Sequence, residues 1–414
     1  MKTLSDISER IVSGGTPSRS IPEYYDGGTI PWIKTGETKN TFIFDTEEKI
    51  TEAALENSSA KLIPKNTIVV AMYGDGGTAG QAAIAKLQAC TNQACCNLII
   101  DPDKASYIYV YYYLTASYNN LVALKLGGSQ QNLNAATIKR FPIRLPDIET
   151  QQKIAAILTA YDDLIENNRQ RIALLEKITE EIYREWFVRL RFPGHEHTRV
   201  HKGVPEGWER PSIQAVASLV KRGISPKYDD DSALFVLNQK CIRNGSISFE
   251  PARSHLTNVP NEKEIQLFDT LINSTGVGTL GRTAIVDFQR EHVTVDSHVT
   301  ICRANPQCIE PLYFAFTIKL MTVVFENLAA GATGQTELSA TLVKGLEIFQ
   351  PPLGLQQQFA QSVKPTVMLK RSLAEENDKL TSSRDLLLNR LISGKLRVDD
   401  LDIQFPPSMQ EEAA

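Results

Sequence analysis

Between Asp147 and Arg191, apolar side chains recur at Leu158, Tyr161, Ile165, Ile172, Leu175, Ile182 and Trp186, with Asn168 and Thr179 filling the remaining steps. Steps alternating between three and four residues place all of them on one stripe of an α-helix, the seam of a coiled coil. Glu166, Arg169, Glu176, Lys177, Glu180 and Glu181 occupy the other faces, and Asn168 inside the seam is the kind of polar residue that sets register. A matching stripe, Leu373, Asn377, Leu380, Arg384, Leu387 and Leu391, runs through Leu353–Leu396. Neither stripe suits water, and each is the other's obvious partner. The pattern therefore predicts two long helices, residues 147–192 and 353–398, packed antiparallel in one chain. Forty helical residues span roughly 60 Å. Pro365 falls in the first third of the second helix and predicts a kink or a later start. Homodimerisation through the same stripes is the competing arrangement.

The rest of the chain has a different rhythm. LIPKNTIVVAMYG and IQLFDTLINSTGVG are apolar strand runs ending in glycine turns, and YIYVYYYLTASYNNLVAL and PLYFAFTIKLMTVVFENLA read as helices. Residues 1–146 and 193–352, the latter opening with a linker over 193–207, are thus expected to be α/β modules with many short strands. The Pro- and Glu-bearing tail, 399–414, is expected to be disordered. The modules also repeat. Gly127–Ala155 returns as Ala332–Ala360 at an offset of 205 without a gap, pairing Leu133 with Leu338, Pro146 with Pro351 and Gln152 with Gln357. Gly14 and Pro17 correspond to Gly223 and Pro226, and Gly77, Thr78 and Gly80 to Gly278, Thr279 and Gly281. A period this long means a duplicated domain rather than a solenoid. The residues between these blocks differ almost completely, so two copies share a scaffold and differ in what they display.

Composition narrows the function classes. The 414 residues are 42% hydrophobic and 22% charged, ordinary for a globular protein with two to four domains. The net charge of −4 argues against bulk nonspecific nucleic-acid binding but leaves room for a localised basic face. With no apolar run of 18 residues and no signal-peptide profile at the start, a cytoplasmic location is expected. The six cysteines lack metal-site spacing and are expected to be buried thiols; His195, His197 and His201 lie in the linker, and no metal is expected there. STGVGTLGRT imitates a phosphate-binding loop, but such a loop must open a helix, and TAIVDF reads as a strand. No nucleophile elbow, zinc-protease helix, cofactor-binding glycine turn or Asn/Asp-Pro-Pro-aromatic methyltransferase tetrapeptide occurs. No catalytic residue is assigned.

Polar loop tips suit recognition instead. In the first module the candidates are Ser18, Arg19, Ser20, Trp32, Lys34, Thr35, Lys39, Tyr73, Gly76, Gly77, Thr78, Gln81, Ser129, Gln130 and Gln131. In the second they are Lys221, Arg222, Lys227, Asn238, Gln239, Lys240, Arg243, Thr279, Arg282, Thr333 and Gln335. Arginine can address guanine and Asn/Gln adenine through paired hydrogen bonds, while lysines hold phosphates. A two-headed protein scaffold without DNA specificity is the alternative.

GGTPSRS with YYDGGTIPWIKTGE, GGSQQNLNAATIKRFPIRLP with QQKIA, and LLLNRLISGKLRV closely resemble the specificity subunits of type I restriction-modification systems, over about Met1–Val398. The resemblance implies two pseudo-repeated α/β target-recognition domains separated by two long antiparallel coiled-coil helices, and a bipartite double-stranded DNA target with a nonspecific spacer. It also implies a noncatalytic chain that binds no cofactor itself. Its partners would be two adenine methyltransferase subunits, which carry S-adenosylmethionine, and two translocating endonuclease subunits. The second module departs from the pattern, keeping only Gly223 and Pro226 of the GGTP wording.

Overall fold

The structure, a computed structural model, describes residues 2–39, 41–74, 77–125, 132–276, 278–330 and 337–410. The chain is a mixture of helix and sheet and divides into two compact units, Met1–Asn167 with Asn377–Ala414, and Asn168–Glu376. The longest elements are helices Ile148–Tyr183 and Leu353–Ile392. The division falls within both, so each unit contains part of each helix.

In the first unit, five strands lie in the order Ser8–Ser13, Cys95–Ile100, Thr67–Ala71, Ala82–Ala85, Thr41–Ile43. All neighbours are antiparallel except the last pair. Thr67–Ala71 and Ala82–Ala85 are buried throughout, which is why they read as unbroken apolar runs rather than alternating ones. One face packs on helix Tyr107–Ala116, where Ile108, Tyr109, Val110, Tyr111, Tyr112 and Leu114 are all buried. On the other face, Val69 and Ala83 meet Ile33 of a three-stranded sheet ordered Glu48–Ile50, Ile30–Ile33, Cys90–Thr91.

The second unit repeats this topology except for the fifth strand of the large sheet. Ala217–Arg222, Val299–Ala304, Thr270–Asn273 and Thr283–Ile285 form an antiparallel sheet in the corresponding order, and Arg253–Ser254, Phe235–Leu237 and Val293–Val295 form the three-stranded one. Both three-stranded sheets have one antiparallel and one parallel pair. Even the register irregularity recurs, at Ser8/Arg10 and at Ala217/Leu219. The two runs expected to be single helices are each two: Tyr107–Ala116 with Tyr118–Val122, and Pro311–Lys319 with Thr322–Ala330. The break turns the second helix across a glycine, since a Cβ on Gly80 would lie 2.8 Å from Val122 and one on Gly281 2.7 Å from Glu326.

Within the first unit the long helices pair antiparallel. Arg384 Nη1 donates to Asp162 Oδ1 at 2.5 Å, and Asn377 Nδ2 to the Ile165 carbonyl at 3.3 Å. Tyr112 OH also donates to Asp162, at 2.6 Å, tying the pair to the module. In the second unit, Lys370 bridges Glu176 and Asp287 at 3.1 and 2.8 Å, and the Tyr183 and Phe187 rings pack on Phe359. Of the stripe residues, Leu158, Ile165, Leu373 and Leu391 are buried, while Tyr161, Ile172, Leu175, Ile182, Leu380 and Leu387 are half-buried. Pro365 does not delay the second helix, which runs unbroken from Leu353. Pro365 and Gln361 are both exposed, so the carbonyl that loses its amide donor can turn to water, while Val363 and Val367 anchor the segment in the core.

Five cysteines are buried and Cys308 is half-buried, all as free thiols; burial pushes Cys90 and Cys241 up to about 11. Composition gives the tail no reason to order, yet Ile403 and Met409 pack on the first unit's core and Ser408 donates to Asp163 at 2.6 Å. No helix among the described residues is long and apolar enough to cross a membrane.

One glycine in each unit marks where the two sheets meet. A Cβ on Gly14 would fall 2.2 Å from the Asn92 carbonyl oxygen, and one on Gly223 1.9 Å from that of Val295. Gly14→Ala and Gly223→Ala are each expected to destabilise the protein by about 1–3 kcal/mol or more, whereas Gly36→Ala, with open space around it, should be close to neutral; urea unfolding monitored by circular dichroism checks all three. Arg384→Met should cost on the order of 3 kcal/mol by leaving the Asp162 carboxylate without its cation, measured the same way.

Candidate nucleic-acid interface

Main-chain hydrogen bonds gather the loops at one end of each large sheet. In the first unit Gly14 N donates to Cys95 O, Met72 N to Ala94 O, Leu133 N to Met72 O, and Asn92 N to Ile33 O, all at 2.8–3.1 Å. Thr16 Oγ1 accepts from Gln93 N at 3.4 Å. The segments after Ser13, Ile33, Ala71 and Thr91, and the one leading to Leu133, therefore converge. The second unit uses equivalent bonds: Gly223 N to Val299 O, Ser274 N to His298 O, Leu338 N to Ser274 O, and Asp296 N to Leu237 O. Of the four loop groups singled out in each module by sequence, the three that fall among the described residues thus start from one cluster of strand ends.

Their side chains fare differently. Ser18, Arg19, Ser20 and Lys39 are exposed, Thr35 opens a single turn of 3-10 helix, and Tyr73 is 39% exposed. Trp32 does not line the surface: it is buried, and its Nε1 donates to the Gly15 carbonyl at 3.1 Å, so the ring supports the Gly14–Ser20 loop from beneath. The Arg19 guanidinium lies over Tyr25, 4.3 Å from the ring centre, and pairs with Glu48 at 2.6 Å. Lys34 Nζ is held by Glu47 at 2.9 Å and Glu48 at 3.0 Å. Those two carboxylates raise the Lys34 ammonium above its usual range, and Lys34 in turn lowers Glu48. Gly77, with φ of 88°, is fixed by Tyr118 OH donating to its carbonyl at 2.7 Å; Thr78 shares that turn, and Gln81 is half-buried just before the Ala82–Ala85 strand. Gly76, Ser129, Gln130 and Gln131 lie outside the described residues.

In the second unit, Lys221 pairs with Glu262 at 2.9 Å, and Arg222 with Glu337 and the Leu338 carbonyl. Asn238 caps a short turn, accepting from Lys240 N at 2.8 Å and donating to Pro251 O at 2.7 Å, and the Gln239 carbonyl accepts from Asn273 at 3.0 Å. Lys227, Lys240 and Arg243 are exposed. Thr279 Oγ1 turns back to the Thr275 and Gly276 carbonyls. Arg282 borders a cleft of about 390 Å³ together with Glu176, Glu180, Arg184 and Lys319. A strand, Thr283–Ile285, follows that loop, which removes the helix a phosphate-binding loop requires. Thr333 and Gln335 lie outside the described residues. Of the linker histidines, His195 Nδ1 sits 2.9 Å from the Phe192 carbonyl, and no group of three or more metal-ligating side chains occurs among the described residues.

Sequence reasoning missed the connecting positions Asn92 and Asp296. Asn92 Oδ1 accepts from Ala94 N at 3.2 Å and Asp296 Oδ1 from His298 N at 2.9 Å, making the same turn in both units. Burial raises the Asp296 carboxyl. Each residue follows a strand of the three-stranded sheet, and comparing ACTNQACCN with VTVDSHVTI would have aligned them.

Comparison with known proteins finds similarity along most of the chain. Residues 1–177 match the type I restriction modification DNA specificity domain. The chain is 28% identical over 422 residues to the type I restriction enzyme MjaIX specificity subunit of Methanocaldococcus jannaschii, covering 97% of this chain and 94% of that one. It is 31% identical over 201 residues to the EcoR124I/EcoR124II specificity subunit of Escherichia coli, covering 48% and 46%. In fold it resembles the type I restriction-modification S subunit from M. genitalium, with a TM-score of 0.58 at 16% identity over 94% of this chain and 95% of that one. The chain is a relative of type I restriction-modification specificity subunits along nearly its whole length, as its motifs suggested.

The Arg19–Glu48–Lys34 cluster yields a pH test. Glu48 is depressed, so its contribution is complete above the unfolded carboxylate pKa and is lost as pH falls through the lower folded value. Glu48→Gln should reduce the melting temperature by about 1–3 °C near neutrality, and the gap to wild type should close below roughly pH 4; melting curves across pH 3–7 measure it.

Proposed function

We propose that this chain is the DNA sequence-specificity subunit of a type I restriction-modification complex. Each loop cluster would read one half of a bipartite target, and the paired helices would set the spacer between the halves. What carries the reading is the combination of near full-length similarity to specificity subunits with two loop clusters built on equivalent main-chain bonds but bearing different side chains. Shared construction with divergent display is what two different half-sites require. The domain boundaries expected from the sequence, 1–146 and 193–352 for the readers with 147–192 and 353–398 for the spacer helices, belong to this proposal, as does antiparallel coiled-coil packing along their full length.

On this reading the chain is noncatalytic. The methyltransferase partners supply S-adenosylmethionine and the chemistry, and this chain supplies position: base-edge contacts choose the register and phosphate contacts hold it. Leu164, Leu174, Ile178, Leu369 and Leu386, 42–71% exposed on the long helices, suit the docking of two such subunits. Endonuclease subunits would join the same assembly. Ion pairing of Arg19, Lys34, Lys221 and Arg222 with acidic neighbours accounts for a reader with net negative charge: the cations are held in position before DNA arrives.

Inserting four residues into each long helix, about 6 Å of rise, should lengthen the preferred spacer by one or two base pairs with both half-sites unchanged. Methylome sequencing of a host expressing the complete system reads this directly, and an unchanged spacer would refute the ruler. Replacing residues 1–146 with those of a relative should change one half-site only.

A further inference from the structure

The second loop cluster contains a polar group that the sequence did not single out and that the scaffold fixes from three sides. His298 N donates to Asp296 Oδ1 at 2.9 Å, its carbonyl accepts from Ser274 N at 2.8 Å, and its ring Nδ1 lies 2.8 Å from Thr275 Oγ1. The residue is nonetheless exposed. Its neighbours are rigid: Asp296, Ser274 and Thr300 are buried, and the Ser274 and Thr300 hydroxyls bond each other at 2.6 Å. The corresponding position in the first unit, reached by the same main-chain bond, is Ala94. An imidazole thus stands in one module where the other has a methyl group.

We propose that His298 is a base-reading residue of the second module, its Nε2 donating to an acceptor on a base edge, with guanine N7 or O6 the best match; this rests on the DNA-reading function proposed above. On this assignment the Thr275 hydroxyl donates to His298 Nδ1, the one of its two possible roles that puts the ring proton on Nε2. Protonating the ring leaves Nε2 a donor as well. Nε2 itself has no partner among the described residues, whereas the nearby cations Lys221 and Arg222 are already paired with Glu262 and Glu337. Thr275 is then a positioning residue, since it fixes both the ring's orientation and its tautomer.

The test is the methylated motif in a host expressing the full chain with its methyltransferase partners. Wild type should give one bipartite motif. His298→Ala should make a single position in one half-site degenerate, reducing discrimination there by roughly 10- to 100-fold and leaving the other half-site intact. Thr275→Val, which keeps the imidazole but unties it, should relax the same position more weakly and serves if His298→Ala fails to accumulate. An unchanged motif in both variants would overturn the proposal, as would a uniform loss of methylation at all sites by soluble protein of normal melting temperature, the mark of a phosphate contact or a structural role. A wild-type chain that yields no sequence-specific methylation would instead overturn the DNA-reading function itself.

Discussion

Two backbone segments can approach within van der Waals contact only where no side chain stands between them, and both units are organised around such a point. At Gly14 and Gly223 the edge strand of the large sheet passes against the carbonyl that ends a strand of the small one. That approach aligns the strand ends so that amides such as Gly14 N and Gly223 N meet carbonyls on the neighbouring strand. Everything proposed about recognition depends on it, because loops with no regular structure of their own are placed by the strand ends from which they leave.

Electrostatics complements this steric constraint. Arg19, Lys34, Lys221 and Arg222 have carboxylate neighbours, and the long helices are tied to their modules by charged pairs rather than by apolar packing alone: Asp162 joins Arg384 to Tyr112, and Lys370 joins Glu176 to Asp287. Such partly buried pairs contribute little net stability compared with apolar replacements, but they strongly penalise any arrangement that separates the partners. Their effect is to favour one geometry between helix and module.

Much of this was legible in the sequence because it depends on periodicity. Steps of three and four locate both long helices, unbroken apolar runs locate the central strands, and the 205-residue offset reveals the duplication. Other features depend on contacts that a linear pattern does not carry. Trp32 sits in a polar, glycine-flanked stretch and was expected at the surface, yet its indole is drawn beneath the loop by the Gly15 carbonyl. Pro365 was expected to disturb the second helix, but which face it occupies decides the outcome, and that face is wet. His298 lies in a strand-rich stretch with only the Asp296 turn near it in sequence; what sets it apart arises when the fold brings Thr275 beside its ring.

The bonds that gather the loops are drawn almost wholly from amide nitrogens and carbonyl oxygens, groups that nearly every residue type possesses. Heritable change can therefore accumulate in the tips without unravelling what supports them, so long as the few glycines endure. Such an architecture lets new preferences arise by drift in one lobe while its twin keeps the old, and a lineage can explore combinations of targets faster than it could by remaking a fold.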